Sequence, residues 1–128
     1  MEENNIGKEI IDAAVHIHKE LGPGLLESVY ETVIAYELEN RNLHVKRQVP
    51  INIEYKGMIF KEAFRADIIV NDKVIIELKS VEKTNKAHKK QIQTYLRLAG
   101  MKLGFLLNFS EGLMKDGITR TVNGLEEE

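Results

Sequence analysis

The chain has 128 residues, with 18 Lys and Arg against 20 Asp and Glu, which is enough for one domain with a real core and too little for two. It has no cysteine, which excludes a disulfide framework and a thiolate metal site and fits a reducing compartment. The net charge of −2 argues against a protein that coats nucleic acid by bulk electrostatics. No apolar run reaches membrane-spanning length and Met1-Glu2-Glu3-Asn4-Asn5 does not read as a signal peptide, so the expected compartment is the cytoplasm, with no membrane partner.

Helices are expected first. Ile6, Ile10, Ile11, Ala14, Val15, Ile17 and Leu21 recur at helical spacing, and Gly22-Pro23-Gly24 ends that helix. A second stripe, Leu26, Val29, Tyr30, Val33, Ile34 and Leu38, predicts a helix to about Asn40. From Val45 the period changes to two. The first strand begins with Val45, Gln48 and Val49, is interrupted by Pro50, and continues with Ile51, Ile53 and Tyr55 to a turn at Lys56-Gly57. Residues 58–64 return toward a strand around Asp67, which is followed by a strand around Glu77. Residues 86–99 read as a helix closed by Gly100, with Ile92, Leu96 and Ala99 on its apolar side. A short apolar strand over 103–109 and a weak edge strand over 117–122 complete the single domain, 1–128, with 126–128 as a frayed tail. The order α-α-β-β-β-β-α-β predicts an α/β (α+β) sandwich built on a central mixed sheet.

Chemistry concentrates in Arg65-Ala66-Asp67-Ile68-Ile69-Val70 and Val74-Ile75-Ile76-Glu77-Leu78-Lys79. Apolar runs of this kind are strands buried on both faces, where an unpaired carboxylate costs several kcal/mol. Asp67, Glu77 and Lys79 therefore need a reason, and a divalent cation held by the two acids supplies one. Lys79 beside it would position water or offset charge at a phosphate. Register decides whether this can work. A two-residue loop of Asn71 and Asp72 sets Asp67 opposite Ile76 and sends Glu77 to the other face. A three-residue loop, or a bulge, sets Asp67 opposite Glu77 with Lys79 on the same face, and this register is the one expected. The bland alternative is a salt-bridged surface hairpin. Glu54-Tyr55-Lys56 repeats the acid-x-lysine triplet without a preceding acid at strand spacing and serves as an internal control.

Gly24-Leu25-Leu26-Glu27-Ser28-Val29-Tyr30 matches a G-x-x-E-x-x-Y signature. Together with the strand at Asp67, the Glu77-Leu78-Lys79 triplet, and Gln91 and Tyr95 on the following helix, it makes the chain resemble the small GxxExxY proteins of the PD-(D/E)XK nuclease superfamily over nearly its whole length. The resemblance implies a restriction-endonuclease-like core and a metal-dependent phosphodiesterase acting on nucleic acid, DNA in preference to RNA. It assigns Mg²⁺ or Mn²⁺ to Asp67 and Glu77 with the Leu78 carbonyl, water activation to Lys79, a further metal contact to Glu27 and substrate positioning to Gln91. The Pro of the superfamily's name is Ala66 here.

Each assignment has a plainer counterpart. Glu27 near a helix start also stabilises the positive end of the helix dipole, and both roles stay open. The Tyr30 ring reads as core packing with a bonded hydroxyl. Lys79, Lys83, Lys86, His88, Lys89, Lys90 and Arg97 are either a solvated face or a phosphate-backbone track, with Lys83, Lys86, Lys89 and Lys90 as the nucleic-acid contacts. His88 on a Lys-rich helix is not named a ligand, and His16, His18 and His44 lack metal-ligand spacing. With no G-x-S-x-G elbow and no cysteine nucleophile, metal-assisted hydrolysis is the enzymatic class left. Hydrolysis of some other phosphoester is a further alternative. The competing reading is a non-catalytic nucleic-acid- or protein-binding module that keeps the nuclease fold. A core this small suggests a homodimer or a larger complex.

Overall fold

The computed structural model describes residues 1–126; Glu126 lies outside any helix or strand, and the rest of the expected tail, 127 and 128, lies outside the described residues. Two helices lead, α1 Glu3–Leu21 and α2 Glu27–Asn40, followed by strands β1 Val45–Tyr55, β2 Met58–Val70 and β3 Val74–Lys79. Helix α3 Lys86–Ala99 crosses to strand β4 Leu103–Asn108, and a 3₁₀ turn at Met114–Gly117 leads into β5 Ile118–Val122. The strands form one mixed sheet in the order β1-β2-β3-β4-β5, with β3 and β4 parallel and the other neighbours antiparallel.

The sandwich has three layers. Ile6, Ile10 and Ile17 of α1 and Tyr30, Ile34 and Leu38 of α2 bury one sheet face, against Ile68, Ile76, Leu78 and Phe105. Leu96 of α3 buries the other, against Ala66, Ile69 and Ile75. Being covered on both sides, β3 and β4 read as continuous apolar runs rather than as alternation. The expected α+β sandwich with a mixed sheet is the fold observed.

Several expected boundaries differ. Pro50 does not interrupt a strand, because β1 is a sheet edge, where a proline without an N–H can sit. Residues 58–64 and the Asp67 segment form one strand, β2, carried across a register shift by a bulge. In that bulge Glu62 takes φ 52 and its N–H donates to Asn52 Oδ1 at 2.9 Å. Leu26 does not belong to the buried stripe of α2: it precedes the helix and is 73% exposed. Val29 is exposed as well, and the charged Glu31 is buried in that helix instead.

The turn between β2 and β3 sets the register. Asn71 and Asp72 both adopt left-handed backbone (φ 51 and 55), which Asn and Asp tolerate best after glycine. The Lys73 N–H closes on the Val70 carbonyl at 3.0 Å. Val70 pairs with Val74, Ile69 with Ile75 and Ile68 with Ile76, so the loop has three residues and the next position of β2, Asp67, faces Glu77.

Candidate active site

Backbone pairing of β2 with β3 stops at Ile68 and Ile76. Side chains continue it: Glu77 Oε2 accepts the Asp67 N–H at 3.0 Å, and Asp67 Oδ2 accepts the Leu78 N–H at 2.9 Å. Two carboxylates thus occupy positions where backbone carbonyls would otherwise close the ladder. On its other flank β3 stays in register with β4 as far as Lys79 opposite Asn108, and the Phe109 N–H donates to the Lys79 carbonyl at 3.2 Å. Asn108, fully buried, clamps the loop that follows: its Nδ2 donates to the Val81 carbonyl at 2.9 Å, and its Oδ1 accepts the N–H groups of Val81 and Ser110, each at 3.2 Å. Glu77-Leu78-Lys79 is therefore pinned by backbone pairing from the β4 side and joined to Asp67 through the two carboxylates.

Glu77 is only 6% exposed. Burial pushes its carboxyl up to about 9, the Asp67 charge adds to the rise, and the Asp67 N–H and the more distant Lys79 oppose it. At neutral pH such a group keeps its proton unless further positive charge approaches. Tyr95 of α3 stands in the same field. Its ring stacks on Phe64 with centroids 3.9 Å apart and planes 9° apart, and its hydroxyl is held above the usual phenol value by burial and then by Glu77 and Asp67.

On the α2 side, a cleft of about 410 Å³ is lined by Glu27, Ser28, Glu31, Gln48, Asp67 and Leu78. Glu27, the first residue of α2, is exposed on its wall. The loop leading to it is held at both ends. Tyr30 O–H donates to the Gly22 carbonyl at 2.5 Å and accepts the Leu25 N–H at 3.2 Å, while Ser80 O–H donates to the Leu25 carbonyl at 3.0 Å. Gly24 passes through φ 102, where a side chain would be strained. The Tyr30 ring is buried and stacks on Phe109 at 4.4 Å, so the glycine and tyrosine of G-x-x-E-x-x-Y shape the approach to Glu27.

Glu31 and Gln48 did not stand out in the sequence. Gln48 lies on β1 across from Asp67, with φ 50, and its Nε2 donates to Glu31 Oε1 at 2.5 Å and to Asp67 Oδ1 at 3.3 Å. Arg47 adds an ion pair to Glu31 Oε2 at 2.8 Å. A signal for Glu31 did exist: it falls one turn after Glu27, beside the stripe of Tyr30 and Ile34. Nothing in the sequence marks Gln48, whose role depends on its backbone conformation.

Lys79, half-buried on β3, and Gln91, exposed on α3, do not line this cleft. Lys83, Lys86, Lys89 and Lys90 are exposed between the end of β3 and the first turns of α3. His88 is a helix cap: its Nδ1 accepts the Asn85 N–H and its own N–H donates to Asn85 Oδ1, each at 3.1 Å. His18 is buried against Phe109 and bonded through Nε2 to the Glu111 carbonyl at 2.8 Å.

Among the described residues no three His, Cys, Asp or Glu side chains converge closely enough to enclose an ion. The donors present at the parted strands are all oxygen, and two carboxylates plus a carbonyl suit Mg²⁺ or Mn²⁺, since Mg²⁺ sites usually have one or two carboxylates and complete the shell with water and substrate oxygen. The raised Glu77 carboxyl is the feature such an ion would relieve, so the residues fit the group.

A mixed sheet between helix layers, with acids where two central strands part and a lysine two residues after the second, defines a restriction-endonuclease-like domain. Residues 4–121 match the family model of the PD-(D/E)XK nuclease superfamily, and the chain belongs to that superfamily. No curated protein matches the chain. Three chains of solved structures match it. One, the crystal structure of SSO0001, shares 20% identity over 91% of this chain and 67% of that one, with a TM-score of 0.48. No helix among the described residues is long and apolar enough to cross a membrane.

Proposed function

We propose that the chain is a divalent-metal-dependent phosphodiesterase acting on nucleic acid, DNA in preference to RNA, from the branch of its superfamily that carries the G-x-x-E-x-x-Y signature. The observation that carries the reading is the pair of carboxylates bridging the parted strands, Glu77 accepting the Asp67 N–H and Asp67 accepting the Leu78 N–H, with Glu77 buried and pushed up to about 9. Asp67, Glu77 and the Leu78 carbonyl would hold Mg²⁺ or Mn²⁺, with Glu27 reaching in from the cleft wall. When bound, the ion supplies Lewis-acid polarisation of a phosphoryl oxygen and makes water a better nucleophile at neutral pH.

The remaining work falls to the chain's own groups. Lys79, on the Glu77 strand two residues on, offsets negative charge building on the phosphate and orients the attacking water. Gln48 restrains Asp67 through its amide and is itself held by Glu31, as an outer shell around a ligand. Gln91 on α3 positions substrate. Lys86, Lys89 and Lys90 crowd the start of α3, which has no acid in its first turn, so the positive end of the dipole carries added positive charge. That arrangement costs stability in the free protein and is relieved by phosphate, which supports a backbone track through Lys83, Lys86, Lys89 and Lys90.

The test is calorimetric titration of Mn²⁺ into the wild type and Glu77→Ala, followed by incubation with labelled single- and double-stranded DNA and RNA. Metal binding and cleavage in the wild type, both lost in Glu77→Ala, are expected. Nucleic-acid binding without cleavage under either metal would make the chain a binding module, and absence of metal binding would reduce the acids to a structural pair.

A further inference from the structure

We propose that the distal half of the β1–β2 hairpin is the contact through which two copies of this chain form a dimer. β3 pairs with only the last three residues of β2, Ile68 to Val70, while β1 pairs with β2 all the way to Tyr55 opposite Met58. Among the described residues, the outer part of the hairpin therefore has no third strand. Its faces are unequal. Val49 and Ile51 of β1 pack in the core under α3, and Phe64 stacks on Tyr95, so this is the face that α3 covers. Alternation carries the same face outward through Ile53, which pairs with Phe60, and Tyr55, which pairs with Met58. The apolar stripe thus runs on past the helix that buries its first half.

The uncovered end is large. Tyr55 is 61% exposed, Met58 64% and Phe60 50%, and Ile59 on the opposite face is 66%. Elsewhere the same edge is guarded: Pro50 removes a donor and Gln48, at φ 50, bends the strand, but from Ile51 to Tyr55 neither device recurs. The bulge at Glu62 lies on β2, the inner strand, and leaves this apolar end of the hairpin exposed, as association sites are.

A second copy fits this end better than nucleic acid does. The rim carries Glu54, Lys56, Lys61 and Glu62, two charges of each sign, so it offers no excess positive charge to a phosphate backbone. A two-fold contact requires a surface complementary to itself, and an apolar centre flanked by balanced charge meets that requirement. Tyr55, Met58 and Phe60 with their rim amount to roughly 400 Å² per copy, about 800 Å² in total, which places the contact among weak, transient interfaces. A dimer of micromolar strength is the expected result. This inference does not depend on the metal or on phosphodiester chemistry.

The experiment is sedimentation and light scattering on the whole chain from about 1 to 100 μM, bracketing the expected micromolar constant. Wild type, Met58→Glu, Phe60→Glu and Leu113→Glu are compared, the last altering an exposed apolar residue away from the hairpin. The expected mass rises to twice 14.6 kDa in the wild type and in Leu113→Glu, and stays at 14.6 kDa in both hairpin variants with an unchanged far-UV spectrum. Because the hairpin residues are exposed, these substitutions leave the core intact; Tyr55→Ser supplies a milder third variant. A wild type that stays monomeric to the top concentration overturns the proposal. So does a dimer that survives Met58→Glu and Phe60→Glu. A monomer whose affinity for duplex DNA falls in Met58→Glu would reassign the hairpin to nucleic acid.

Discussion

Gln48 is the residue whose role is most sharply tied to geometry. It bonds to Glu31 and Asp67 at once, from a backbone conformation that non-glycine residues seldom adopt. Gln48→Ala is expected to lower Mn²⁺ affinity or cleavage by about 10- to 100-fold, as for other residues that orient a ligand. An unchanged Mn²⁺ isotherm and unchanged cleavage would remove Gln48 from the site. Glu77 gives a second expectation, in pH. Its folded value of about 9 lies above the 4.5 of the free side chain, so between those limits the folded chain holds a proton that the unfolded chain has lost. The stability from this proton is fully present below pH of about 4.5 and is lost as pH rises through about 9, with a slope of at most about 1.4 kcal/mol per unit. Urea unfolding in metal-free buffer from acid to alkaline pH should show that fall in the wild type and a flatter profile in Glu77→Gln. Equal slopes in the two proteins would show that Glu77 does not hold the proton.

At the scale of elements, the loop from α1 to α2 depends on one hydroxyl. Tyr30→Phe keeps the buried ring on Phe109 but removes the bonds to the Gly22 carbonyl and the Leu25 N–H. Each lost bond of this kind costs about 1 kcal/mol, so the variant should be about 1–2 kcal/mol less stable in urea. Its cleavage rate should also fall, because the same loop delivers Glu27 to the cleft; a stability loss without a change in rate would leave Glu27 outside the chemistry. The hairpin at Asn71-Asp72-Lys73 works at this scale too. One residue fewer in that loop would turn Glu77 to the opposite face from Asp67.

For the whole molecule, the net charge of −2 hides a local asymmetry. Exposed lysines at 83, 86, 89 and 90 run from the β3–α3 connection into the start of α3, close in sequence to the acids that would hold the metal. If each contacts one phosphate, replacing the four with Ala should reduce the slope of log K against log salt by about 0.9 per contact on duplex DNA and weaken all sequences alike. A slope that does not change would show that the phosphate track lies elsewhere. The α3 dipole supplies a cross-check, since the quadruple variant should lose no stability and should gain slightly in the absence of nucleic acid.

Much of this was written locally in the chain. Helical periodicity with Gly22-Pro23-Gly24 and Gly100 as stops marked the helices, and the continuous apolar runs around Ile68 and Ile75 marked central strands, because burial on both faces forbids alternation. Two acids in such runs pointed to a candidate site, since an unpaired carboxylate there is costly. Tertiary structure alone decided the rest. Whether Pro50 breaks a strand depends on which neighbour β1 lacks, and the loop length that turns Asp67 toward Glu77 depends on two left-handed backbone positions that the sequence permits but does not require. Glu31 and Gln48 come from separate elements and meet at Asp67 only because α2 packs across β1 and β2. Local sequence encodes what a residue prefers; which distant residue it meets is set by how the layers pack.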